Sequence, residues 1–327
     1  MQSVFRLLAT GFAAASLVVG VPSYAQAWPT KPVRLINPFP AGGGTDTFAR
    51  PLSAQLSKQL GQQFIVENIG GAGGTVGAAV AARTAGDGYT FLIGAVHHTI
   101  APSIYPKLSY DIEKDFVPVT LLAMMPFVMV VQPNKLPDVK TVKDLVEYAR
   151  AKPGKLNFGS PGSGTSQHLT AELFKVNHNL NMIHVPYKGM GPAMQDFLGG
   201  SIDVLFDGMS ASAAQIRSGK ARALGLMAAH RSPQYPEIPT LAEQGFANSE
   251  ASQWYAVWAI KGTPPEIVDK MHREIVKALD DPMVKGNWAA AAADAGGMPP
   301  AEFGKFVRSE IERWAKVTKA SGAKLDN

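Results

Sequence analysis

The chain has 327 residues, 46% of them apolar and only 17% charged, with 31 basic against 26 acidic side chains and no cysteine. This apolar content over this length excludes a disordered polypeptide and calls for two domains rather than one. The missing thiols exclude disulfide staples and the usual attachment point of a lipid anchor, and the scattered surplus of positive charge lacks the clustered stripe that nucleic acid requires.

Residues 1–27 read apart from the rest. Arg6 supplies a positive start, Leu7 to Val21 an apolar run, and "AQA" (Ala25 to Ala27) a small-x-small cleavage signal. Fifteen apolar residues containing Gly11, Ser16 and Gly20 and stopped by Pro22 are fewer than the ~20 a spanning helix needs. The segment is expected to be a secretory signal peptide. Its removal takes away Arg6 and leaves 30 basic against 26 acidic residues, a net charge of +4. An exported, unanchored chain without disulfides fits a bacterial periplasm.

The remainder alternates strand and helix. "KPVRLINPF" (31–39) is the first expected strand, followed by the bare loop "PAGGGTD", where Thr45 or Asp46 is a plausible N-cap, and by Phe48, Leu52, Leu56 and Leu60 on one helix face. Pro51 falls early in that helix and is expected to bend or shorten it. Glycines let backbone N–H groups reach a ligand, and a helix start carries partial positive charge, so this geometry favours an anion.

"FIVEN" (64–68) is the second strand, and "GGAGGTVGAAVAA" opens the next helix. This nearly matches a dinucleotide fingerprint, but Val76 stands where the third glycine belongs and no strand-end acid follows, so close strand–helix packing is the preferred reading over NAD binding. "YTFLIGA" (89–95) is the third strand, with His97 and His98 at its carboxyl end, where open parallel sheets bind ligands. They read as hydrogen-bond donors to a ligand, or as a solvent-facing pair.

Further strands are expected at 117–125, 127–133, 156–160, 182–187, 203–208, 222–228 and 254–260. Between them, "VKDLVEYARA" spaces Val142, Leu145, Val146 and Ala149 for one helix face, and Phe303, Phe306, Val307, Ile311 and Trp314 form a stripe near the end of the chain. Alternation of this kind argues for parallel sheets covered on both faces. The long apolar segments at 127–133 and 254–260 each stand where one strand–helix series ends and another begins, and are expected to cross between two lobes. The division is placed at 28–126 plus 256–327 for one domain and 127–255 for the other.

After the strand at 156–160, "GSPGSGTSQHL" repeats the logic of the first loop: Ser160, Gly162, Ser163, Gly164 and Thr165 precede a helix bearing His168. Two anion-suited helix starts in two lobes suggest a ligand held between them. Asp207, ending "DVLFD", occupies a comparable strand end and could meet a positive or hydroxyl group, or cap the next segment.

Signals for chemistry are weak. No "GKS" or "GKT" phosphate loop occurs, and the seven histidines show no metal-ligand spacing. "GMSAS" (208–212) fails the nucleophile elbow because serine replaces its last glycine. An exported hydrolase using Ser210 or Ser163 is the competing reading, without a recognisable His–Asp partner.

A further observation concerns whole segments. "INPFPAGGGTD", "VENIGGAGGTVGAAVAA", "AGDGYTFLIG", "SYDIEKDFVPV", "LVEYARAKPGKLNFGSPGSGTSQHL", "VPYKGMGPAMQDFLGGSIDVLFD", "SGKARALGL", "RSPQYPEIPTLAEQGF" and "GTPPEIVDKMHREI" run in order over nearly all of the chain after residue 27. Together they resemble the periplasmic substrate-binding proteins of tripartite tricarboxylate transporters, the Bug receptors. The resemblance implies an α/β, two-lobed type II periplasmic-binding-protein fold, each lobe a mostly parallel sheet flanked by helices, with two crossing segments as hinge. It implies a receptor rather than an enzyme, without cofactor or metal. Its expected ligand is a small organic acid gripped by its carboxylate in the cleft, and its expected partners are integral membrane transporter subunits; the chain is expected to be monomeric. A receptor feeding a signalling system would share the same residues.

Carried over by position, Phe39, Ala41, Gly42, Gly43, Thr45 and Asp46 match the first ligand loop, and Ser160, Gly162, Gly164, Thr165 and His168 the second. His97, His98, Tyr187 and Asp207 match places where members select their ligands. The histidine pair, Met190 and "DGMSAS" are variable there, which leaves the identity of the acid open.

Overall fold

The computed structural model describes residues 28–323 apart from 43, 248, 290 and 291. The expected leader, residues 1–27, and Gly43 therefore lie outside the described residues. The chain runs β1 (Val33–Asn37), α1 (Gly44–Leu60), β2 (Phe64–Asn68), α2 (Thr75–Ala82), β3 (Thr90–Ala95), α3 (His97–Ile104) and β4 (Phe116–Val131). It continues through α4 (Val142–Ala151), β5 (Asn157–Ser160), α5 (Ser166–His178), β6 (Ile183–Pro186), α6 (Met190–Leu198), β7 (Val204–Gly208), α7 (Met209–Arg217) and β8 (Arg222–Leu226). It ends with β9 (Ser252–Ile260), α8 (Pro265–Leu279), α9 (Pro282–Ala289), β10 (Asp294–Ala295) and α10 (Pro300–Ser321).

Two sheets result. In the first, β2, β1 and β3 are parallel, and β9 lies antiparallel between β3 and the first part of β4. In the second, β6, β5 and β7 are parallel, and the last part of β4 pairs antiparallel with β7 and β8. The parallel strands belong to the strand–helix units, which must return over the sheet face between strands. The antiparallel members exist because one strand carries the chain out of the first sheet and another brings it back.

Two strands were expected on either side of Pro126, yet β4 passes through it unbroken. Phe116 to Pro126 pair with β9, and Phe127 to Val131 pair with β7. A proline donates no ladder hydrogen bond, and here it stands at the point where the strand changes partners. The return passage lies directly beside it: Ala251 still bonds to Met227 and Phe127 of the second sheet, whereas Ser252 is already opposite Pro126 in the first. Thus Ser252, Gln253, Trp254 and Tyr255, placed by the division at 255/256 in the second domain, are paired in the first sheet. Composition does not mark this position, since the change of partner is a long-range pairing choice.

Both faces of each sheet are buried. Alternation along β9 sends Tyr255, Val257 and Ala259 into a core with Phe48, Met271 and Trp288, and Trp254, Ala256 and Trp258 into another with Ile100, Phe303 and Trp314. The second sheet has Phe158, Phe174 and Phe206 on one face and Phe197, Leu205 and Met209 on the other. Local chemistry sets the helix ends. The α4 helix opens with a capping box between Thr141 and Asp144 and buries Val142, Leu145, Val146 and Ala149, the four residues its spacing singles out. Along α10, Phe303, Val307 and Trp314 are buried, while Phe306 and Ile311 pack partly covered against the same core.

Candidate functional site

The first loop is organised from beneath. Asn37 and Asn68 end the adjacent strands β1 and β2 and stand opposite one another in register. Their amides donate to Asp46 Oδ1 at 3.3 and 3.1 Å, while Gly42 N–H and Arg50 Nε donate to Asp46 Oδ2 at 2.9 and 2.6 Å. The helix starts at Gly44, ahead of the expected caps, so Thr45 and Asp46 lie in its first turn, both buried. Burial pushes the Asp46 carboxyl up, but Arg50, Gly42 N–H and Asn68 outweigh it and hold the group below the usual range. Asp46 is thus the buried anchor of the loop, and Ala41 and Gly42 form its exposed surface. Gly42 has φ of +79°, a conformation that favours glycine. Pro51 does not shorten α1, which continues to Leu60.

The second glycine-rich turn supports the packing reading. A methyl on Gly77 would lie 2.5 Å from Ile69 O and 2.7 Å from Pro38 Cα, so glycine is what lets α2 sit on the strand ends. Gly74 serves another contact, because a methyl there would meet His97 Nε2 at 2.7 Å and the Phe39 ring at 3.1 Å. Phe39 and His97 stand edge to face with centroids 4.6 Å apart. Phe39, Gly74 and His97, from three successive strand ends, therefore make one wall. Burial, then the neighbouring His98, drives the His97 pKa well below the usual imidazole value, so this wall carries no cation at neutral pH. His98 does not join the wall. It is fully buried, its Nδ1 bonded to the Tyr110 hydroxyl at 2.9 Å, and burial pushes its pKa down to about 3.

In the second loop the expected residues interlock. Thr165 is the N-cap of α5, accepting His168 N–H at 3.4 Å and donating to Gly162 O at 2.7 Å. Ser160 Oγ accepts Gly162 N–H at 3.2 Å and lies 2.7 Å from His184 Nε2. Gly164 N–H donates to His168 Nδ1 at 3.1 Å, and the His168 and His184 rings stack with centroids 3.9 Å apart. Tyr187 closes the loop from behind through Tyr187 N–H to Ser160 O. Its hydroxyl points to Asp196 Oδ2 at 2.7 Å, and burial, then Asp196, pushes its pKa up to about 12.

These bonds revise which atoms can grip an anion. Gly42, Gly162 and Gly164 each direct the amide N–H inward, to Asp46, Ser160 and His168. The glycines shape the loops, and the donors remaining for a ligand are the first-turn N–H groups of α1 and, apart from the capped His168 N–H, of α5, which no helix satisfies internally.

Both helix starts meet one strand. Ser166 Oγ, at the first residue of α5, donates to Gln253 Oε1 of β9 at 2.9 Å. Two residues along the same strand face, a methyl on Gly44, the first residue of α1, would meet the Tyr255 hydroxyl at 2.5 Å. Tyr255 is held by stacking on Phe48 at 4.2 Å. Burial, then the charge of Asp207, raises its pKa. Asp207 closes the cluster from β7: it is buried, accepts from Ser212 Oγ at 2.9 Å, and also from Gly208 N–H and the Gln167 side chain. Burial outweighs these neutral donors and pushes its carboxyl up to about 6. Gln167, Gln253 and Tyr255 were not legible as site residues. Tyr255 falls within the expected strand at 254–260 and Gln253 just before it, and only the docking of both helices on β9 gives them a role.

Among the described residues no three His, Asp or Glu side chains are grouped to hold a metal, and no helix is long and apolar enough to cross a membrane.

Comparison with known proteins follows the same architecture. Residues 48–323 match the family model described as "Tripartite tricarboxylate transporter family receptor". Protein BugT of Bordetella pertussis is 38% identical over 99% of this chain and 100% of its own. A structure described as a periplasmic transporter superposes with a TM-score of 0.83 at 39% identity, covering 92% of this chain and 100% of that one. An R. palustris protein solved with adipate gives 0.83 at 35% identity, over 91% of this chain and 99% of that one. MatC from Rhodopseudomonas palustris, solved with malate, gives 0.79 at 32%, over 89% of this chain and 99% of its own. The protein has the two-lobed fold of periplasmic binding proteins, and it belongs to the tripartite tricarboxylate transporter receptor family, whose members bind substrates rather than convert them.

Proposed function

We propose that this receptor works in the periplasm, takes a small organic acid by its carboxylate in the seam between the lobes, and delivers it to membrane transporter subunits. The observation that carries the reading is the approach of α1 and α5, one helix start from each lobe, to Gln253 and Tyr255 on a single strand. First-turn N–H groups and the helix dipoles favour negative charge there by ~0.3–2 kcal/mol for each helix. The acids carried by the adipate- and malate-bound relatives support the same class of ligand. The residues offered to it are Ala41 to Thr45, including Gly43, and the α5 start from Gly162 to His168, with Phe39 and His97 lining one side. Asp46, His98, Tyr187 and Asp207 act behind that surface.

The lobes are proposed to close about the paired passages at 126/127 and 251/252. Closure excludes water from the bonded carboxylate and strengthens its hydrogen bonds, and its reversal releases the acid unaltered.

The test is calorimetry and melting of the purified protein with a panel of organic acids that includes adipate and malate, each beside its neutral amide. At least one acid is expected to bind and raise the melting temperature while its amide does not. Equal binding of acid and amide, or retention of no acid at all, would overturn the proposal.

A further inference from the structure

Two imidazoles meet at the second loop, the buried His168 of α5 and the half-buried His184 of β6, and their surroundings differ in one decisive respect. His184 Nε2 faces the Ser160 hydroxyl at 2.7 Å. A hydroxyl both donates and accepts, so that contact survives in either protonation state of the ring. His168 Nδ1 faces Gly164 N–H at 3.1 Å. A backbone N–H only donates, so that contact exists only while Nδ1 keeps its lone pair. The neutral ring therefore carries its proton on Nε2, which lies 3.8 Å from Glu172 Oε1.

We propose that His168 is the positioning residue of the second ligand loop and that it couples solute affinity to proton concentration. This rests on the anion-binding reading given above. A proton added from solvent at Nδ1 sets N–H against N–H, ejects Gly164 from its place and undoes the turn that presents the start of α5. The ligand-competent loop thus contains neutral His168, so affinity is complete at alkaline pH and is lost as the pH falls through the titration of this ring. Ser160 and Gly162 stay tied to His184, which confines the change to Gly164 and its neighbours.

The charged and titratable groups around the ring come from several elements. On α5 itself Glu172 faces Nε2 and is bonded by Lys175 Nζ at 2.7 Å. From β6 comes His184, stacked at 3.9 Å; β5 contributes Phe158 and Ser160; β7 presents Asp207 to Gln167 at the helix start. The α10 helix brings Lys316 to the side of α5 that carries Leu173 and Val176. Glu172 stabilises a proton on His168 and already has Lys175 as its cation, whereas a second proton on stacked His184 would repel the first.

His168→Asn supplies the discriminating variant, since Asn Oδ1 stands where Nδ1 does and accepts from Gly164 N–H without titrating. In the unliganded wild-type protein the ¹⁵N-resolved Gly164 amide is expected to shift between about pH 8 and about pH 5, and in His168→Asn to stay constant. Binding of malate or adipate by the wild type is expected to weaken at least about threefold over that range beyond any change due to the acid itself, and in His168→Asn, whatever its absolute strength, to stay constant over the same range. A wild-type Gly164 amide that does not titrate, or a His168→Asn protein that keeps the wild-type loss of affinity, would overturn the proposal. If neither acid binds at any pH, the anion-binding reading fails on its own while the amide titration still decides the role of His168.

Discussion

Replacing Asp46 by alanine tests whether the first ligand loop is built from below. The carboxylate takes four hydrogen bonds, from Gly42 N–H, Arg50 and the amides of Asn37 and Asn68, and only 4% of the residue is exposed. Arg50 is more than half exposed, so its ion pair contributes little. Asn37 loses its acceptor inside the protein and has no exposed surface through which to recover it, whereas the exposed Gly42 N–H can turn to water and the Asn68 amide keeps its bond to Phe39 O. One buried donor left unpaired costs about 1–3 kcal/mol, and the variant should lose about that much. An unfolding entropy of about 2 cal/mol/K per residue over a chain of this size makes this a fall of roughly 2–5 °C in melting temperature.

The pH dependence gives the sign. The folded Asp46 pKa is depressed, so its contribution is present above the unfolded carboxyl value and is lost as pH falls through the folded one. The gap between wild type and Asp46→Ala should therefore be widest near neutrality and close in acid. Calorimetric melts at neutral and acidic pH, with and without a bound acid, measure it. A neutral-pH difference of less than about 1 kcal/mol, or one that does not change with pH, would refute the idea that this carboxylate organises the loop.

Asp207 should behave in the opposite sense. Its pKa is raised to about 6, so the penalty for ionising it is absent in acid and complete above that value; melts of Asp207→Asn should gain on the wild type from about pH 4 to about pH 6 and run parallel above. Gly44→Ala should lose about 1–3 kcal/mol by driving a methyl against the Tyr255 hydroxyl, and most of the loss should return in a Tyr255→Phe background; an equal loss in both backgrounds would separate the two residues. Gln253→Ala removes the bond to Ser166 and should weaken binding of an acid severalfold while shifting the melting temperature of the unliganded protein only slightly, as calorimetric titration would show.

Much of the fold was legible from periodicity. β2 and α4 occupy the expected residues, and the other expected strands differ by one or two at most ends, because alternation and the 3.6-residue stripe record which side of each element is buried; the two-residue β10 was not expected. The glycine turns were legible too, as conformations other residues avoid. Less legible was the purpose of individual polar residues. His97 and His98 are adjacent in the chain, yet one lines a wall with Phe39 and the other is bonded to Tyr110 in the core. Asp46 reads as a helix cap in the sequence and is the hub for two asparagines that come from different strands. The glycine N–H groups that looked available for a ligand are taken by Asp46, Ser160 and His168.

The sequence by itself determined what depends on near neighbours: the succession of strands and helices, the bare turns before α1 and α5, the capping box of α4, and the family pattern spread along the chain. Tertiary structure alone decided the point at which β4 exchanges sheets, the return passage beside it, and the meeting of two helix starts on Gln253 and Tyr255. The reason is physical. Propensity and periodicity act over a few residues, whereas a strand's partner and a buried side chain's hydrogen bonds are chosen among groups that can lie from dozens to more than two hundred positions away, by which arrangement leaves the fewest polar atoms unsatisfied.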